Sequence, residues 1–233
     1  MDKERFIEEL KKINIDINED QLNKLEIYYN ELIEYNKNVN LTRIVDKNEV
    51  YLKHFYDSLT LIKAIDLNNN LTLCDVGTGA GFPGMVLAIL FPTLSITLVD
   101  ALQKRINFLD LVINKLGLTN VKTVHARIED YAKENREKYD IVTCRAVANL
   151  RVLLEISIPL VKVNGFFVPM KGLIDTELED ATNMIKKLDC TIVTTVYFKL
   201  PIENSDRTLI KIKKNKKTNS KYPRRYDVIK KDK

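Results

Sequence analysis

Four of the seven glycines in this 233-residue chain, Gly77, Gly79, Gly81 and Gly84, fall within eight positions. The stretch reads Asp75-Val76-Gly77-Thr78-Gly79-Ala80-Gly81-Phe82-Pro83-Gly84, with apolar runs at 71–76 and 85–91 on either side. Strand, glycine turn, helix is the order of a nucleotide-binding loop. The glycines let backbone approach a ligand, and the following helix offers free N–H groups. The frame Gly79–Gly84 matches the dinucleotide pattern G-x-G-x-x-G. Asp75, just ahead of the turn, points elsewhere: a carboxylate repels a pyrophosphate and suits the ammonium group of S-adenosylmethionine. Asp100, 23 residues past Gly77, ends the next apolar run, where an acid accepts ribose hydroxyls. These residues admit NAD or S-adenosylmethionine, and Asp75 tilts the reading to the second. A tight turn with a purely structural role is the plain alternative.

The elements that must position these groups follow from periodicity. From residue 71 strands and helices alternate: strands over 71–76, 95–99, 121–126, 140–144 and 165–170, helices over 84–90, 103–116, 150–161 and 176–188. This is an α/β, Rossmann-like chain with a mostly parallel sheet. Two β-rich runs, 191–198 and 208–212, have no helix between them, so the last strand should run antiparallel. In such a sheet ligands sit at the carboxyl ends of the strands. Those ends carry Asp75, Gly77 and Gly79, then Asp100, then Ile128 and Glu129, then Arg145, then Lys171. Ahead of the sheet, residues 1–70 read as a helical extension, with Asn18 and Gln21 spaced as a capping box. The division expected is 1–70 extension, 71–212 catalytic domain and 213–233 basic tail.

The net charge is +5, but residues 211–233 carry +9 and the remainder −4. A charge run is commonly a solvated tail. Tyr222 and Tyr226 flanking Arg224 and Arg225 also suit nucleic acid, through stacking and phosphate contact. The three cysteines, Cys74, Cys144 and Cys190, have no metal-ligand spacing and read as reduced thiols of a cytoplasmic protein. No apolar run approaches a bilayer span. A monomer with no membrane and no metal partner is expected.

The glycine loop resembles the signature of the RsmG (GidB) family of bacterial 16S rRNA methyltransferases, which act on guanine N7. Further blocks are similar to that family: Asn40-Leu41-Thr42-Arg43-Ile44, His54-Phe55-Tyr56-Asp57-Ser58-Leu59, Leu98-Val99-Asp100, Arg145-Ala146-Val147-Ala148, Lys171-Gly172 and Tyr222-Pro223-Arg224-Arg225. The family's tail usually continues through Pro and Lys to Pro-Leu. This chain reads Tyr226-Asp227-Val228-Ile229 instead.

The resemblance implies a class I S-adenosylmethionine-dependent methyltransferase that modifies 16S rRNA or the small ribosomal subunit, at guanine 527 in the 530 loop. It places Gly77 near the methionine part of the cofactor and Phe82 on the pocket wall. Ile128 and Glu129 fall against the adenine, Asp100 at the ribose, and Asp75 and Gly79 in the same loop. Arg145 falls where cofactor and base meet, as the candidate catalytic residue, although the commoner fate of an arginine is an ion pair. Lys171, Arg224 and Arg225 are the candidate RNA contacts. Two alternatives stand beside this: an NAD-dependent oxidoreductase and a methyltransferase for a small molecule, the latter with no use for a +9 tail.

The residues suit N7 chemistry. Guanine N7 has a lone pair and no proton, so it needs in-line placement, not a base. The Asp/Asn-Pro-Pro-Tyr motif of exocyclic amine methylation is absent from 144–147, and Cys144 reads as a core thiol, not a nucleophile. His54 is expected either at the RNA or domain boundary or on a helix surface, and His125 in local packing.

Overall fold

Seven strands form one sheet in the computed structural model, which describes residues 1–231. They are β1 (Thr72–Val76), β2 (Ser95–Asp100), β3 (Val121–His125), β4 (Tyr139–Arg145), β5 (Val161–Lys171), β6 (Cys190–Lys199) and β7 (Asp206–Lys214), in the order β3-β2-β1-β4-β5-β7-β6. The first five pair in parallel. The last in sequence, β7, runs antiparallel between β5 and β6, as the missing crossover helix requires. Leu73, Cys74 and Val76 of β1 are all fully buried, because the strand is covered on both faces. Chain crossovers leave β1 in opposite directions toward β2 and β4. The cleft at their carboxyl ends is therefore the switch point of the sheet.

One face carries α1 (Lys3–Lys12), α2 (Glu19–Asn36), a third helical segment α3 (residues 47–63), α4 (Gly84–Leu90) and α5 (Gln103–Leu116). Their buried residues form one apolar cluster with the sheet: Phe6, Leu25, Tyr28 and Phe55 of the extension lie in the same core as Met85 and Leu98. The Asn18–Gln21 capping box is present, with both reciprocal hydrogen bonds. The other face carries α6 (Ile128–Glu134), α7 (Leu150–Ser157) and α8 (Asp175–Lys187). A short terminal helix, α9 (Tyr226–Lys231), lies on this side too, and Tyr222 and Ile229 are buried in its core.

Two elements differ from the periodicity. The helix expected over 150–161 stops at Ser157, turns once through Ile158–Leu160, and gives way to β5 at Val161. Pro159 lacks the N–H that a helix interior needs. The third helical segment, where the apolar spacing of Val50, Phe55, Leu59 and Ile62 suits an α-helix, is not uniformly α: Tyr51–Tyr56 is π-helical.

Candidate active site

The glycine loop is held from three sides. Gly77 and Thr78 donate their N–H groups to the Val99 carbonyl at 2.8 and 3.1 Å, which continues the β1–β2 pairing into the turn. Asp75 Oδ2 accepts from Thr78 Oγ1 at 2.6 Å and from the Gly84 N–H at 2.8 Å, closing the loop across its base. The Tyr28 hydroxyl of α2 donates to the Ala80 carbonyl. Gly77 has φ +69°, and a Cβ there would lie 2.7 Å from Val147 Cγ2. Only glycine leaves this wall of the cleft open.

Two cavities flank the end of β4. The first, about 290 Å³, is lined by Gly77, Asp100, Ile128, Glu129, Ala146 and Tyr226 among others. It gathers four of the expected cofactor residues from three strand ends. Asp75, Gly79 and Phe82, also expected at the cofactor, do not line this cavity. Gly79 donates its N–H to Asp100 Oδ2 at 2.9 Å, Leu102 donates to Oδ1 at 3.0 Å, and Arg105 Nη1 reaches Oδ2 at 3.1 Å. Arg105 Nη1 also reaches Oδ1 at 3.4 Å, so the Asp100 carboxylate is fixed in orientation at the cavity wall.

The donor set fits S-adenosylmethionine. Two buried polar atoms of this site lack a hydrogen-bond partner, Asp75 Oδ1 and Arg105 Nε. Burial pushes the Asp75 carboxyl up to about 6, against the hydrogen bonds from Thr78 and Gly84 and the Arg145 charge that hold it down. An unpaired acceptor beside the glycine turn and an unpaired donor beside Asp100 match an amino-acid end and a nucleoside end.

The second cavity, about 400 Å³, is lined by His54, Asp57, Arg145, Ala146, Lys171 and Arg207 among others. Ala146 borders both cavities and has φ +54°, an uncommon conformation for a side-chain residue, where β4 passes between them. Arg145 belongs to this second wall, not to the first. Its Nη1 donates to the Lys53 carbonyl at 2.9 Å and to Asp57 Oδ2 at 3.1 Å, and its Nη2 to His54 Nδ1 at 3.2 Å. Its guanidinium also lies over the Phe82 ring at 5.3 Å.

His54 is engaged at both ring nitrogens: Nδ1 lies 3.2 Å from both Arg145 Nη2 and the Lys53 carbonyl, and Nε2 lies 2.9 Å from Thr42 Oγ1. Burial, then the Arg145 charge, lowers the His54 pKa to about 3, and the ring stacks on Phe82 at 4.3 Å between centroids. Of the two expectations for His54, the domain-boundary position is the one found. Asp57 also accepts from Arg207 Nε of β7 at 3.0 Å, so one buried carboxylate ties α3, β4 and β7 together. The π-helical turn explains this reach. The Asp57 N–H donates to the His54 and Leu52 carbonyls and bypasses Lys53, whose carbonyl meets Arg145.

The remaining expected residues fall elsewhere. Lys171 Nζ donates to the Ala148 carbonyl at 2.9 Å and pairs with Glu177 at 2.7 Å on the rim of the second cavity. Arg224 and Arg225 line neither cavity. Arg224 grips the fully buried Glu155 through Nε at 2.8 Å and Nη2 at 2.7 Å, while Arg225 is exposed and pairs with Asp227. Cys144 is fully buried and its thiol is pushed far up by desolvation, the environment of a core thiol. His125 makes one local bond, to the Ala101 carbonyl at 3.0 Å. Sequence reasoning missed Tyr28, Asp57 and Arg207, and it assigned Tyr226 to nucleic acid, whereas the residue lines the first cavity. Tyr28 alone had a legible signal, three residues after Leu25 on the buried stripe.

The sheet order, with its antiparallel last strand, is that of the Rossmann-like fold of S-adenosylmethionine-dependent methyltransferases. Solved structures share this fold. A SAM dependent methyltransferase from Aquifex aeolicus superposes with TM-score 0.52 at 18% identity, over 72% of this chain and 93% of that one. M. jannaschii TYW2 in complex with AdoMet gives TM-score 0.53 at 16% identity, over 63% and 70%. The GidB family model, described as rRNA small subunit methyltransferase G, matches residues 21–208. The ribosomal RNA small subunit methyltransferase G of Lactobacillus johnsonii is 50% identical, with 96% of each chain covered, and that of Desulforamulus reducens is 47% identical over 94% and 92%. The chain belongs to the rRNA small subunit methyltransferase G family, and its cofactor is S-adenosylmethionine.

Proposed function

We propose that this protein methylates N7 of a guanine in small-subunit rRNA, guanine 527 of the 530 loop, with the base entering the second cavity. One observation carries the reading: the second cavity adjoins the cofactor cavity across Ala146, and its wall is cationic, with both of its carboxylates held by cations, Asp57 by Arg145 and Arg207 and Glu177 by Lys171. His54 is held neutral, and both of its ring nitrogens already have partners within the protein. A nucleophile that must lose a proton would have to displace one of these ion pairs. Guanine N7 has no proton to lose, and O6 beside it is free to accept from a guanidinium while the N7 lone pair attacks. When bound, the cofactor supplies an electrophilic methyl group on a sulfonium. The protein then acts by placement: Gly77 and Asp100 fix one partner, Arg145 and Arg207 shape the seat of the other, and Ala146 lies between. Lys171 on the rim and Arg225 on the exposed tail suit phosphate contact.

The test is incubation of labelled S-adenosylmethionine with unmodified small subunits and with naked rRNA. Reduction and aniline cleavage then map N7-methylguanine. A single cleavage at the expected guanine is the predicted result. Label confined to an adenine, a cytosine or a metabolite would overturn the proposal.

A further inference from the structure

The basic tail was the part of the sequence with the weakest structural expectation, and it ends against the cofactor cavity. Tyr226 opens the stretch where this chain departs from the family's usual tail. It is the one aromatic among the described residues lining that cavity. Its side chain stays 37% exposed, although the neighbours on either side are anchored. On the N-terminal side, Tyr222 is buried, and Arg136 donates to the carbonyls of Tyr222 and Thr218 at 2.6 Å each. Arg224 grips the buried Glu155. On the C-terminal side, Ile229 is fully buried and its carbonyl accepts from Arg151 at 3.1 Å. Folding therefore sets Tyr226 at the cavity between two fixed points, yet its ring keeps exposed apolar area.

We propose that Tyr226 is a cofactor-binding residue whose ring packs on the purine nucleoside half of S-adenosylmethionine, so that the tail completes the cofactor site. The inference rests on the first cavity being the cofactor's. A purine presents a flat π-face, and an aromatic wall is the side chain that recognises it. Ile128, Glu129 and Ile156 line the same cavity, and none of them offers a ring.

The chain contains no tryptophan, which makes a direct readout possible. In Tyr226→Trp the new indole is the sole one, so its emission reports on this position alone. S-adenosylhomocysteine titrated into Tyr226→Trp should change that emission saturably, with the same Kd that calorimetry gives. Calorimetry on Tyr226→Ala should show affinity at least fivefold weaker than the unsubstituted protein, with an unchanged circular dichroism spectrum. The proposal stands only if both effects occur. Emission unmoved at saturation, or affinity of Tyr226→Ala within twofold, would overturn it while leaving the cofactor cavity intact. Failure of the unsubstituted protein to bind S-adenosylhomocysteine would instead overturn the cofactor assignment beneath it.

Discussion

Arg145 shows how much a single side chain depends on shape as well as charge. It meets the Lys53 carbonyl, Asp57 and His54 together and lies over Phe82. A planar fork does this and an ammonium point charge does not. Arg145→Lys should therefore lower the turnover of methyl transfer at least tenfold. Affinity for S-adenosylhomocysteine should stay within twofold, because Arg145 does not line the first cavity. Single-turnover rates beside calorimetry separate the two. Gly77 gives the converse pattern. A methyl at Gly77 would sit 2.7 Å from Val147 at a backbone φ of +69°, so Gly77→Ala forces Val147 aside or bends the loop. Strain of this type costs roughly 1–3 kcal/mol. Calorimetry should show cofactor affinity down tenfold or more, with a drop of only a few degrees in Tm.

At the scale of elements, the third helical segment serves the site through its π-helical turn, which brings His54 and Asp57 to β4. This places a pH-sensitive group inside the junction. An ordinary histidine titrates at 6.5 and His54 at about 3, so the fold buries the neutral form. A lowered pKa gives stability that is complete above 6.5 and is lost as pH falls from 6.5 towards 3. Asp75 carries the opposite sign: its carboxyl is raised from 3.8 to about 6, so its contribution is present below 3.8 and fades as pH rises through 6. The two contributions oppose each other between pH 6 and 4, so the fall in urea midpoint from pH 7.5 to 4 should be shallow in the unsubstituted protein and weaker still, or reversed, in His54→Gln. An unchanged slope in that variant would mean that other groups govern the acid limb.

The elements themselves were largely legible. Pro83 and Pro92 bracket Gly84–Leu90, and Gly117 in the left-handed conformation ends Gln103–Leu116, so local punctuation marked those helices. The π-helical turn left no mark, because the apolar spacing over 47–63 suits an α-helix too. The network of His54, Asp57 and Arg145 joins residues about ninety positions apart. Periodicity carries no information on such a pairing. The cofactor loop, by contrast, is contiguous, and its chemistry could be read from glycines and one acid.

Across the whole molecule, the two ends of the chain lie on opposite faces of the sheet and both reach the site. The extension braces the glycine loop through Tyr28 and the second cavity through Asp57, while the tail reaches the first cavity through Tyr226. The +9 tail is thus two kinds of surface at once, and its adjacent arginines separate them. Arg224 satisfies Glu155, which is fully buried, and its own N–H donates to the same carboxylate at 3.0 Å. Arg224→Ala would leave a buried carboxylate without its counter-charge, a loss on the order of 3–5 kcal/mol. Arg225 has a side chain 79% exposed and pairs only at the surface with Asp227, an interaction of roughly 0–1 kcal/mol. Arg225→Ala should leave the denaturation midpoint unchanged and reduce the salt dependence of rRNA binding by about one phosphate contact. Denaturant unfolding together with filter binding at several salt concentrations tests both. If Arg224→Ala unfolds at the unsubstituted midpoint, the tail is not anchored through Glu155. If Arg225→Ala binds rRNA with an unaltered salt slope, phosphate recognition lies elsewhere on the protein.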